Sequence, residues 1–212
     1  MIRRRTPHVC TSLTGVVLCL LTISQSARLL RYAVAEATLN ADEVGEELTP
    51  FSNDPMVGYL ARAKSVELDK TGDAARRAEQ FTALLLATPL NSNAWLGLAA
   101  ARLELGASNE KILSALAMSY LSAPHEARLM AERAVFALPL WPVLPPASRS
   151  ALIGDLTGGW WWIGAPRRVA LRASLALAKS DTREDLSAAL LLTGKQGAAI
   201  AAELGVEVRR AH

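Results

Sequence analysis

The sequence predicts an all-α protein, an N-terminal signal or membrane helix followed by an α-solenoid of antiparallel helix pairs. Three observations predict it. Apolar residues make up 51% of the chain but aromatics only 5%; the bulk is Ala and Leu, both strong helix formers. A basic tip leads directly into an apolar run at the N-terminus. Prolines at 55, 89 and 124 recur at intervals of 34 and 35 residues, a period that belongs to helical repeats.

The first element is 1-MIRRRTPHVCTSLTGVVLCLLTISQSARLLRY-32. Arg3, Arg4 and Arg5 precede the apolar run Val9 to Ile23, which is the grammar of an export signal. Cleavage after Ser26 is one outcome. Retention is the other, because the segment extended to Ala27 is close to the roughly 20 residues a span needs. Segment 1–27 is therefore a signal or membrane anchor. It holds both cysteines, Cys10 and Cys19, so an exported body would carry neither disulfides nor thiols.

Charge follows the same division. The net charge is +3. Without the three N-terminal arginines, 20 basic residues face 20 acidic ones. A nucleic-acid binder needs a basic folded domain, and this body is neutral, so nucleic acid is not an expected partner.

Residues 28–54 read as a juxtamembrane helix and an acidic linker with Glu43, Glu46 and Glu47, closed by the turn cluster 50-PFSNDP-55. Residues 55–144 read as repeats. Gly72 and Gly106 each sit 17 residues after a proline, so each block is helix, glycine break, helix. The block 89-PLNSNAWLGLAAARLELGASNEKILSALAMSYLSAP-124 is the clearest. Its Trp95, Leu98, Ala99 and Gly106, with Phe81 from the preceding block, resemble the packing positions of tetratricopeptide repeats. That resemblance implies a concave groove lined in this block by Asn93, Leu96, Ala100 and Leu103.

The four prolines of 138-LPLWPVLPPASR-149 bar a helix there and predict a rigid connector. Residues 145–204 then complete the stack. Ser148 to Thr157 is a short helix ended by Gly158 and Gly159. A second helix starts near Pro166 and runs to Lys179. A third has Asp181 as N-cap and Glu184 as its capping-box partner, and Gly194 ends it. Lys195 to Leu204 is the last, and 205–212 is a loose tail.

The N-terminal span, the Trp-x-x-Leu-Ala repeat, Ser119, Pro124-His125-Glu126, Arg133 and Trp141-Pro-x-Leu144 together resemble the VpsP-type polysaccharide biosynthesis proteins, small single-span helical proteins of bacterial exopolysaccharide and O-antigen clusters. The similarity covers roughly residues 10–157. It implies an inner-membrane accessory protein with its helical domain in the periplasm, working with other proteins of a polysaccharide assembly. It brings no catalytic residues with it.

The residues themselves point the same way on chemistry. His125 is the one histidine of the body and stands beside Glu126 at a helix start, a solvent-facing position. A closed zinc site needs about four nitrogen or sulfur ligands. The acids, among them Glu104, Glu110, Glu126, Glu132 and Asp155, fall where helices expose a solvated face, and Arg128 and Glu132 have the spacing of a surface pair. No phosphate loop or nucleophile motif is present. No metal, cofactor or catalytic set is expected.

Two surface features remain. Arg168, Arg172 and Lys179, with Arg167 to one side, form a basic stripe if all lie on one helix, within about 40° of one another. The stretch Trp160, Trp161, Trp162 cannot bury all three rings in one core, since helical residues fan by about 100° each. One or two should plug the end of the stack and at least one should stay exposed, available to membrane or partner. The function expected is a non-catalytic, membrane-anchored accessory or scaffold protein of surface polysaccharide synthesis or export. The alternatives are a general envelope scaffold or chaperone-like repeat protein and, less favoured by these residues, a small polysaccharide-modifying enzyme.

Overall fold

The computed structural model describes residues 7–38, 47–68 and 73–206, which hold ten α-helices and no strand. The chain divides into two units, Met1–Thr71 and Gly72–His212, taken here in turn. The expectations that rest on Arg3 to Arg5, on the acids at 43 and 46, on Gly72 and on 207–212 lie outside the described residues.

In the first unit α1 (Pro7–Thr38) is one helix of 32 residues. It runs past Ala27 without a break, so the expected boundary at 27 is not a structural one. Eighteen consecutive residues with a mean hydropathy of 1.2, only 6% of them buried, lie within its stretch Gly15–Thr38 of 24 residues. At 1.5 Å per residue that is about 36 Å, longer than the roughly 30 Å hydrocarbon layer. Leu18, Leu20, Ile23, Leu30 and Val34 are all exposed. The hydroxyls of Thr22 and Ser24 donate to Leu18 O and Leu21 O inside the helix, so these two need no water. Near the end of α1, Tyr32 is buried with Leu48, Val57 and Ala61 and meets Phe51 edge-on at 5.8 Å. The expected turn at 50–55 is built by Asp54, whose Oδ1 accepts from Met56 N and Val57 N. It leads into α2 (Gly58–Leu68).

The second unit opens with α3 (Ala74–Ala87), capped by the Asp73 side chain on Arg76 N at 2.7 Å. Asn91 caps α4 (Ser92–Glu104) in the same way, accepting from Ala94 N at 3.0 Å. These short acceptors answer N–H groups that a helix start leaves free. Gly106 closes α4 at φ +65°. Its N–H reaches Leu103 O, and the next N–H reaches Arg102 O, a glycine-dependent helix stop. Then follow α5 (Asn109–Ser122) and α6 (Ala127–Ala137). Helix α4 packs against α3, α5 and also α6. It accordingly buries residues around much of its girth: Ser92, Ala94, Leu96, Leu98, Ala99 and Ala101.

The proline-rich connector is helical after all. Leu138–Val143 forms a 3-10 turn containing Pro139 and Pro142, and α7 (Pro146–Gly159) starts on Pro146. A turn this short makes few N–H bonds for a proline to interrupt, and a first-turn proline lacks only a donor that would be unpaired anyway. Trp141 is buried in this turn, and its Nε1 donates to Asp185 at 3.1 Å. Arg149 joins the same carboxylate at 2.6 Å and lies over the Trp141 ring.

Three further expectations are corrected. Helix α8 (Ala165–Ala176) stops before Lys179, because Leu177 N and Ala178 N turn back to Ser174 O and Leu175 O. Helix α9 (Ser180–Leu191) has Lys179 at its N-cap, which leaves Asp181 inside the first turn. After α10 (Lys195–Leu204), Gly205 adopts φ +71° and Val206 is buried at 3% exposure, its N–H on Ala201 O. The tail is therefore docked at least to Val206.

The interior between α4 and α7 contains a polar knot. Arg133 on α6 is fully buried. Its Nε and Nη2 donate to the two Asp155 oxygens on α7, each at 2.8 Å. Its Nη1 donates to Ser119 O and Ala123 O at the end of α5, and its guanidinium lies 4.9 Å from the Tyr120 ring centre. Ser92 and Ser119 exchange hydrogen bonds, side chain to backbone in both directions. Burial pushes the Asp155 carboxyl above the usual carboxylate range, while the two Arg133 bonds pull it back.

Asp155→Ala should cost about 3–5 kcal/mol, since it strands a buried cation. The pair Arg133→Met, Asp155→Leu should recover most of that loss. Thermal unfolding followed by circular dichroism reads both. A full loss in the double variant would show that Arg133 matters mainly through the α5 carbonyls.

Candidate functional site

The tryptophan corner is set by Gly159, the last residue of α7. A Cβ there would meet the Met130 and Ala131 backbone of α6 at 2.5–2.9 Å, so only glycine lets the two helices come this close. The following residues, Trp160–Trp162, form a 3-10 turn. Such a turn rotates each residue by about 120° from the last, and the three rings part company. Trp160 is 3% exposed, Trp161 80% and Trp162 62%. One ring closes the core and two face outward.

Arg168 holds this corner together. Its Nη2 donates to Trp160 O at 2.9 Å and its Nε to Ile163 O at 2.8 Å. Its Nη1 pairs with Glu203 of α10 at 3.0 Å. The guanidinium also lies over Trp160 and Trp161, at 4.8 and 5.9 Å from the ring centres. It is a structural pin between the turn, α8 and α10, so the expected basic stripe does not include it as a free cation. Arg167 and Arg172 are exposed on α8, and Lys179 stands beyond the end of that helix. Lys179 instead borders a groove of about 360 Å³ with Pro139, Pro142, Leu177 and Thr182.

The repeat positions divide. Leu98, Ala99 and Phe81 are buried as expected of packing residues. Trp95 is half-buried and donates its Nε1 to Pro89 O at 2.7 Å, tying α4 to the corner before it. A further tight contact falls on a residue that the spacing did not single out. A Cβ on Gly97 would overlap the Phe81 ring. Of the expected groove, Asn93 and Leu103 are exposed, Ala100 is half-buried, and Leu96 is in the core at 8% exposure. The four do not form one open surface, because α4 is covered by α6 as well as by α3 and α5.

His125 is exposed, and Arg128 and Glu132 form the expected surface pair at 3.5 Å. Among the described residues no three His, Cys, Asp or Glu side chains are grouped as a metal site would require. The buried Asp155 has each of its oxygens engaged by Arg133 in a bidentate pair. The sequence put Arg133 in a motif resemblance and Arg168 on a surface stripe, and neither was expected as an internal anchor. The available signal was a single arginine within an otherwise apolar helix face, as in 131-AERAVFA-137.

No family model, curated protein or solved structure matches the chain. The likeness to polysaccharide biosynthesis proteins accordingly rests on the sequence motifs alone.

Trp160→Ala should lower stability by about 3–5 kcal/mol, the usual cost of emptying a core aromatic site. Trp161→Ala should stay within about 0.5 kcal/mol, as exposed substitutions do. Denaturant unfolding of the two variants side by side checks the contrast. Equal losses would mean that Trp161 is also part of the core.

Proposed function

We propose that the protein is a non-catalytic accessory or scaffold protein of bacterial surface polysaccharide synthesis or export. In this reading α1 anchors it in the inner membrane and the helical domain works in the periplasm through contacts with other proteins. The domain acts as a short solenoid of tetratricopeptide-like helix pairs. The observation that carries the reading is the pairing of one long, exposed, apolar N-terminal helix with an all-helical unit. Supporting the solenoid is the way α4 touches both its own partner α5 and α6 of the next pair, as stacked pairs do. The polysaccharide assignment is supported by the motif resemblance.

Two experiments test separate parts. Alkaline phosphatase fused after Val206 should be active in the bacterial cell, and green fluorescent protein fused at the same place should be dark. The opposite pattern would put the domain in the cytoplasm. Deleting the gene should reduce or shorten surface polysaccharide on gels of extracted material, with recovery on complementation. Unchanged polysaccharide would sink the pathway assignment while leaving the anchor untouched.

A further inference from the structure

Helix α8 has an unusual outward side. It buries only Leu171 and Leu175. Counting about 100° per residue from Leu171, the opposite side is centred on Val169 and Ala173, with Pro166, Ala176 and Leu177 beside them. All five are exposed, Val169 at 67% and Leu177 at 90%. A helix packed by one side on a core ordinarily turns polar residues outward. The arc from Ala165 through Val169 and Ala173 to Ala170 has none. The turn just before the helix adds the outward rings of Trp161 and Trp162.

Positive charge borders this apolar face. Arg172 lies at one edge of it, and Arg167, also exposed, follows the tryptophan turn on the Leu171 side of the helix. Between Leu156 and Ser180 the chain has four cationic side chains and no acidic one, in a body whose basic and acidic residues balance overall; of the four, Arg168 is taken up by Glu203. Single exposed apolar residues need no explanation. An apolar helix side that stands exposed beside two exposed indoles and free arginines does.

We propose that Trp161, Trp162 and the outward side of α8 dock on the headgroup layer of an anionic lipid bilayer. Indole rings settle at that level of a membrane, and arginines beside them reach lipid phosphates while their stems stay on apolar surface. An amphipathic helix with such neighbours lies in the interface plane. The charge selects lipid over a protein groove: an anionic headgroup layer supplies apolar depth and negative charge over one continuous area. The Gly15–Thr38 segment is long and apolar enough to cross a bilayer, which keeps one within reach. The proposal rests on the membrane part of the proposed function and is independent of the polysaccharide part.

The test uses the full chain with vesicles of neutral phosphatidylcholine, with or without anionic phosphatidylglycerol. Flotation of the protein with the vesicles reads the anchor. Docking is read separately, as quenching of tryptophan emission by lipids brominated just below the headgroups. Quenching should appear with the anionic vesicles and vanish in the W161F/W162F variant. In the R167Q/R172Q variant each lost arginine should lower the docked-to-undocked ratio roughly fivefold. Absent quenching, or equal quenching in W161F/W162F, overturns the proposal and leaves the face to a protein partner. Equal quenching in neutral and anionic vesicles overturns its anionic selectivity. Failed flotation with quenching intact would remove the anchor but keep the docking face.

Discussion

Arg133 and Asp155 meet where α5, α6 and α7 converge, both out of reach of water. A guanidinium in that position is tolerated only if its donors are answered, because an unpaired buried charge costs several kcal/mol. The planar fork of arginine matches the two Asp155 oxygens, and a lysine could not make the same bidentate contact. The remaining donor nitrogen goes to the Ser119 and Ala123 carbonyls at the end of α5, where the partial negative charge of a helix C-terminus attracts a cation. One side chain thus dictates how three helices approach. The Ser92–Ser119 exchange passes the constraint on to the start of α4.

The placement of the outer surface follows from that core. With α6 and α7 drawn together, Gly159 is pressed on the α6 backbone, and the chain must leave α7 at that point. The 3-10 turn that follows inserts Trp160 and turns the next two rings away. Arg168 then fastens the turn to α8 and α10 through two carbonyls and Glu203. It leaves α8 burying only Leu171 and Leu175, with its apolar outward side uncovered.

Much of the helical layout was legible because it depends on neighbours in sequence. Gly106 follows α4 and adopts the left-handed backbone that a helix stop uses. The helix starts were less so: the Asp73 and Asn91 caps were not expected, and the cap expected at Asp181 falls on Lys179. The end of α8 was not legible. Nothing in 174-SLALAK-179 breaks a helix locally. The chain turns there while α9 is held through Asp185 on Trp141 and Arg149, residues more than 30 positions away. The same distance effect removed Lys179 from the basic stripe, put Leu96 in the core and turned Arg168 from a surface cation into a pin.

By itself, then, the sequence determined that the chain is helical, that its N-terminal helix is apolar enough to cross a membrane, and that three adjacent tryptophans could not all be buried. These follow from propensity, composition and backbone rotation, which are local. Only the tertiary structure decided which tryptophan is inside, which arginines are occupied, and that the uncovered side of α8 is apolar. Those outcomes depend on which surfaces the packing of distant helices uses up, and no local pattern records that.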